Sequence, residues 1–193
     1  MSAFLAGISK IVHRLMSTFS AVPFTHENAL KPIKYHSNSE NEKKLYPMND
    51  LLHEVLKHYG LTEVVGKDSD PTILAMLKEM GYDDSADDSD IAWCSAALNY
   101  FCKKLGYERS GSLAARSWLK MPVMVLQPEI GDVVVLWRGS PSSWQGHVGL
   151  FITRDTNIVY ILGGNQANSL NIMPYPLDRV LGYRRLRKLT DIT

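Results

Sequence analysis

The sequence predicts an α+β fold in which helices come first and an antiparallel sheet follows. Segments upstream of Pro122 carry apolar residues at helical spacing between recognisable caps. Downstream of it the period changes, and short runs rich in β-branched and aromatic residues follow one another without intervening helices. With 193 residues, 45% of them hydrophobic, the chain can bury one real core.

The first stretch, "MSAFLAGISKIVHRLMSTFSA", spaces Phe4, Leu5, Ile8, Ile11, Val12, Leu15, Met16 and Phe19 as one helix face. It lacks a basic start, and Lys10, His13 and Arg14 interrupt its apolar run, so a cleavable signal peptide is not expected. Two readings remain: a helix packed on the domain, or a helix that docks on a partner or a membrane surface. Residues 25–47 are polar with two prolines and read as a linker. The expected division is therefore an N-terminal helix and linker over 1–45, a delivery or docking segment, and a main domain over 46–193.

In that domain, "MNDLLHEVLKHYG" reads as a helix capped by Asn49 or Asp50 and stopped by Gly60. "DPTILAMLKEMG" reads as a second, with Asp70 as cap, Pro71 at the first helical position and Gly81 as stop. The acidic run "DDSADDSD" is a loop. Ser89 or Asp90 is the expected cap of the next helix, which carries both cysteines, Cys94 and Cys102. "GSLAARSWLKM" is a shorter helix ended near Pro122. "GDVVVLWRG", "HVGLFIT", "NIVYILGG" and "RVLGYRRLR" are the expected strands.

Composition removes several function classes. A net charge of +1 offers no electrostatic case for nucleic acid. No apolar stretch reaches the ~18 to 20 residues of a membrane span. Two cysteines eight residues apart on one helix lie ~12 Å apart along its axis. That is too far for a disulfide, which needs Cα atoms within about 7 Å. The pair also lacks metal-ligand spacing, so no metal and no cofactor are expected.

Cys94 falls in the first or second turn of its helix, where unpaired N–H groups and the helix dipole favour a thiolate. The competing reading is a small buried apolar residue, which is the reading given to Cys102. A thiol nucleophile needs a base. His13, His26 and His36 fall in the N-terminal segment, and His53 and His58 lie among polar neighbours on a helix. His147 instead opens a strand directly after the loop "RGSPSSWQG", at the mouth of the sheet.

A base in turn needs a group that fixes its tautomer. If Asp155-Thr156-Asn157 form a three-residue hairpin loop, Arg154 opposes Ile158 and His147 stands opposite Asn165. A two- or four-residue loop shifts the register and makes Gln166 a diagonal neighbour instead. Asn165 is thus the expected orienter and Gln166 the fallback, the latter otherwise assigned to substrate contact. Trp93, before the nucleophile, and Trp144, before His147, are candidates to line the cleft, with a place in the core as the competing and preferred reading of Trp93. Arg116 in "AARSWL" is a candidate for a substrate carboxylate, and equally reads as a surface arginine on a capped helix.

"AWCSA", "GDVVVLW", "GHVGLF" and "GGNQ", in that order, resemble the NlpC-type and CHAP (cysteine, histidine-dependent amidohydrolase/peptidase) superfamily. The similarity covers about residues 48–186 and is greatest to the phage-lysin-like branch with "WC", "SWL", "WRGSP", "GHVG" and "GGNQ" blocks. The resemblance implies a papain-like α+β core and hydrolysis of amide bonds in the peptide part of peptidoglycan. It also implies Cys94 as nucleophile, His147 as base and Asn165 as the polar third member. Many CHAP enzymes carry a glutamate just before that asparagine, where this chain has Gly163 and Gly164. Two biological settings fit: a phage-type lysin, or a secreted antibacterial effector toxin with an immunity protein or secretion-machine partner. Either would be made in the bacterial cytoplasm and act in the periplasm or cell wall of a target or host cell. The alternative is a thiol acyltransferase or peptidase acting on protein substrates.

Overall fold

The computed structural model describes residues 49–64, 70–82 and 92–192. The expected N-terminal segment and the acidic loop lie outside them. Three α-helices come first: α1 (Asp50–Leu56), α2 (Pro71–Glu79) and α3 (Cys94–Leu105). Asn49 caps α1 by accepting from the Leu52 N–H, and Asp70 caps α2 by accepting from the N–H groups of Thr72 and Ile73. Each such cap contributes about 1 kcal/mol. Gly106, at φ 71°, ends α3 in the left-handed conformation that favours glycine.

Two expectations change here. The N-cap of α3 is Trp93, not Ser89 or Asp90, so Cys94 is the first helical residue. "GSLAARSWLKM" forms only a 3-10 helix, over Ala115–Lys120.

Six strands follow: β1 (Val123–Val125), β2 (Val133–Trp137), β3 (Gly146–Arg154), β4 (Ile158–Gly163), β5 (Asn171–Pro176) and β6 (Val180–Arg185). They form one sheet in the order β1-β6-β2-β3-β4-β5, with every pair antiparallel. The α+β class and the order of elements are as expected. Strands β1 and β5 were not. β1 has three residues, and β5 contains Pro174 and Pro176. Proline cannot donate to a ladder and is tolerated at a sheet edge, and β5 is such an edge.

Helix α3 packs against β3, β4 and α2, and its Phe101 and Cys102 are completely enclosed. On the opposite face of the sheet Val134, Leu136, Phe151, Val159, Ile161 and Tyr183 form a second apolar cluster. Ion pairs of Lys104 with Glu54 and of Lys103 and Arg109 with Glu79 join α3 and its following loop to α1 and α2. The two Glu79 pairs are at the surface and contribute little beside the packing, whereas the Glu54 carboxylate is buried and held well below the usual carboxylate range by Lys104 and Lys57.

The β3–β4 hairpin carries the register on which the site depends. The expected three-residue loop is absent. Asp155 donates its N–H to the Ile158 carbonyl at 2.9 Å across a two-residue turn, and Arg154 pairs with Val159. A shift between Phe151 and Thr153 then takes up one extra residue on β3. Beyond it Phe151 faces Ile161 and Leu150 faces Leu162. The deep half of the hairpin therefore keeps the expected register by a different route.

Candidate active site

Helix α3 starts where β4 stops. The β3/β4 ladder begins at the Leu150–Leu162 pair, and β4 ends at Gly163. Upstream of that rung the Val148 N–H meets the Cys94 sulfur, as do the N–H groups of Ser95 and of Cys94 itself. The nucleophile candidate thus sits in a ring of backbone donors at the helix start, against the residue that follows His147. What fixes the helix there is Trp93. It is 0% exposed, and its Nε1 donates to the Glu63 carboxylate. A Cβ on Gly164 would come within 2.3 Å of Trp93 Cζ3, so the chain leaving β4 passes directly over the indole. Trp93 is therefore a core anchor, and its expected place in the cleft wall is corrected.

His147 pairs with Leu136 across β2/β3 and is 4% exposed. Its Nε2 lies 3.0 Å from Gln166 Oε1. The carboxamide that meets the imidazole is therefore that of Gln166, correcting both the expectation of Asn165 as orienter and that of Gln166 as a substrate contact. The reason is local. The expected register would carry Asn165 opposite His147, but the strand has ended. Asn165 turns left-handed, at φ 55°, as do Ala167 and Asn168. The 166–169 turn closes through Gln166 N–H to Ser169 O at 2.9 Å and Ser169 N–H to Gln166 O at 3.2 Å. That turn points the Gln166 side chain back under the sheet, where it is 2% exposed.

The Gln166 network also sets the tautomer of His147. Gln166 Nε2 donates toward Ile161 O at 3.2 Å, Asn171 O at 2.6 Å and Asn171 Oδ1 at 3.1 Å. Its two amide protons face three acceptors, which leaves Oε1 for the imidazole. His147 Nε2 must then carry the proton, and Nδ1 holds the lone pair. The 166–169 turn is pinned from outside by residues 60–63. Gly60 N–H donates to Leu170 O, Leu170 N–H to Leu61 O and Glu63 N–H to Asn168 O. Segment 60–63 thereby braces both the orienter and the indole below the nucleophile.

Burial decides the resting charge. Desolvation, followed by the charges of Arg138 and Arg179, takes His147 from the ordinary 6.5 down to about 4, against the pull of its Gln166 bond. Desolvation likewise pushes the Cys94 thiol up, against the N–H groups around it and Arg138. Cys94, 5% exposed, and His147 are thus a neutral thiol and a neutral imidazole at rest. Cys102 is completely enclosed, and burial raises its thiol as well.

The remaining sequence candidates lie elsewhere. Trp144 is 81% exposed in the 138–146 loop. Arg116 holds that loop from below, through Nε to Gln145 O at 3.0 Å and Nη2 to Pro141 O at 2.9 Å and Ser140 O at 3.4 Å. These bonds correct its expected role on a substrate carboxylate. Residues the sequence reading missed flank the imidazole. The Tyr175 ring centroid is 5.4 Å from that of His147, and Arg179 stands over Tyr175 and Trp137. Tyr175 was hidden in the proline-bearing segment assigned to no strand. Among the described residues no group of three His, Cys, Asp or Glu could hold a metal ion, and no helix is long and apolar enough to cross a membrane.

No family model and no curated protein matches this chain. Among solved structures it is similar to an NLP/P60-family protein, described as similar to lipoprotein, from Staphylococcus aureus. The two are 18% identical, and the match covers 89% of this chain and 47% of that one at a TM-score of 0.39. This chain spans about half the length of that protein, and the likeness is too remote to carry an activity across.

Proposed function

We propose that the protein is a cysteine amidase or peptidase that cleaves amide bonds in the peptide part of peptidoglycan. The observation that carries the chemistry is the junction of α3 with β3. A thiol at a helix start lies against the N–H of Val148, the residue that follows His147, and the His147 imidazole is bonded through Nε2 to a carboxamide. The wall substrate rests on the "WC", "SWL", "WRGSP", "GHVG" and "GGNQ" blocks and their order.

The neutral resting pair makes proton transfer part of the attack. His147 Nδ1 takes the thiol proton as the Cys94 sulfur bonds to the amide carbonyl carbon. The Cys94 N–H, first in the helix, is the candidate donor to the developing oxyanion. The imidazolium then gives its proton to the leaving amine as the C–N bond breaks, which leaves a thioester. Nδ1 next draws a proton from water, hydroxide adds to the thioester carbonyl, and the sulfur departs and is reprotonated. Throughout, Gln166 Oε1 accepts from Nε2–H and favours the imidazolium that forms twice in the cycle.

In this reading the enzyme is a phage-type lysin or a delivered antibacterial effector, acting at the wall of a host or target cell. The test is incubation of the full-length protein with purified sacculi and mass spectrometry of the released fragments. Cys94→Ala and His147→Ala should abolish release with unchanged circular dichroism, whereas Cys102→Ala should release normally. Full release by Cys94→Ala refutes the nucleophile assignment. An intact wall alongside acylated or cleaved protein substrates would instead favour acyl transfer or proteolysis of proteins.

A further inference from the structure

The β2 and β5 side of the site is cationic and aromatic, and the hydrolytic steps make no use of it. Arg138 directly follows β2. Its N–H donates to Gln145 O at 3.3 Å, which continues the β2/β3 pairing one position past Trp137 and Gly146. Side chains alternate along a strand, so Arg138 shares the face of Leu136, the partner of His147. The Arg138 side chain is exposed. Among the described residues its guanidinium has no hydrogen-bond or ion-pair partner.

Arg179 comes from the 3-10 turn before β6. Its Nε and Nη2 donate to Trp137 O at 3.1 and 2.9 Å, which fixes the plane of the group. Its Cζ lies 5.3 Å from the Trp137 ring centroid and 5.4 Å from that of Tyr175. Among the described residues Nη1 makes no hydrogen bond. Two contacts of 5.4 Å therefore lead from the imidazole through Tyr175 to this guanidinium. An extended peptide covers that span in about three residues.

We infer that Arg138, together with Arg179 held between Trp137 and Tyr175, binds a free carboxylate of the substrate peptide close to the scissile amide. A guanidinium already stacked and hydrogen-bonded loses little freedom on binding, and its planar donors suit a carboxylate. The two arginines also make the site electropositive, since Arg138 acts on Cys94, His147 and Tyr175, and Arg179 on the last two. The substrate class is accordingly an acidic peptide, and this specificity rests on the hydrolase reading above.

The probes are two wall stem tetrapeptides, identical except that the α-carboxylate of the glutamyl residue is free in one and amidated in the other. Cleavage by the full-length protein and binding to its Cys94→Ala variant are both measured. The free acid should be preferred on the order of tenfold, mainly through KM and Kd. Arg138→Gln should bring that ratio close to one, and Arg179→Gln should lower it. Equal cleavage of both peptides by the unmodified enzyme overturns the carboxylate site and leaves the hydrolase reading standing. Preferential binding of the acid without cleavage of either peptide does the reverse. If neither peptide is bound or cut, the carboxylate site is overturned as well. A ratio unchanged in Arg138→Gln removes that residue from the site.

Discussion

Replacing Gln166 by glutamate would test whether this side chain governs the base. Its Oε1 is 3.0 Å from His147 Nε2, and the substitution puts a carboxylate oxygen in that place with almost no change in volume. His147 sits at about 4, below the ordinary 6.5. At ~1.36 kcal/mol per unit, that depression corresponds to about 3 kcal/mol against the imidazolium. An opposite charge at hydrogen-bond distance raises a neighbouring pKa by roughly 1–3 units. The variant imidazole should therefore titrate between about 5 and 7. NMR titration of the His147 ring in the Cys94→Ala background reads this directly, and the acid limb of kcat/KM against pH should move up with it. Fewer protons should be needed to inactivate the variant, so it should lose activity at a pH where the parent still works. An imidazole that still titrates near 4, with an unmoved acid limb, would refute the contact as the determinant of His147. A shifted titration with an unmoved limb would show that His147 is not the kinetic base.

Gly164→Ala should drive a methyl group into the Trp93 ring, 2.3 Å from Cζ3 and 2.5 Å from Cε3. Overpacking of this kind costs about 1–3 kcal/mol, so the variant should unfold at lower urea and lose kcat as the start of α3 moves; an unchanged midpoint contradicts the packing. Arg116→Ala removes three bonds to the 138–146 loop and should raise KM several-fold with a small change in melting temperature, and an unchanged KM would separate that loop from binding. His147 should also make the fold acid-sensitive. Between about 6.5 and 4 the unfolded chain binds a proton at this position and the native state does not, so stability should fall with pH through that window by up to about 3 kcal/mol. Urea titrations of the parent and of His147→Gln at several pH values would show this loss in the parent and a flatter profile in the variant.

Much of this was readable from residues alone, and the failures have physical causes. Asp70 followed by Pro71 marked a helix start because a capping carboxylate and a preset φ act locally. The β2, β3 and β4 runs were legible because they are buried and rich in β-branched residues, and the half-buried β6 through Val180, Leu181 and Tyr183. Strand β5 was not, since Pro174 and Pro176 argue against a strand anywhere but at an edge, and edge position is a tertiary property. The choice between Asn165 and Gln166 turned on hairpin arithmetic. That arithmetic could not include the extra residue accommodated between Phe151 and Thr153, nor the left-handed turn after Gly164. Trp93 and Arg116 were misplaced because indole and guanidinium groups serve equally well inside a fold and in a cleft. Only their partners, Glu63 in one case and loop carbonyls in the other, distinguish the two.

The prolines of β5 bear on how a peptide can be held. Pro174 and Pro176 occupy alternate positions, opposite Tyr160 and Ile158, so the N–H groups they lack are those that would face outward from the sheet. At the other margin β1 offers only three residues. Neither border can serve as a template on which an incoming chain extends the sheet by main-chain bonding. In the proposed reading, discrimination among peptide substrates therefore falls to side-chain chemistry, where a single charge change in the ligand can be felt.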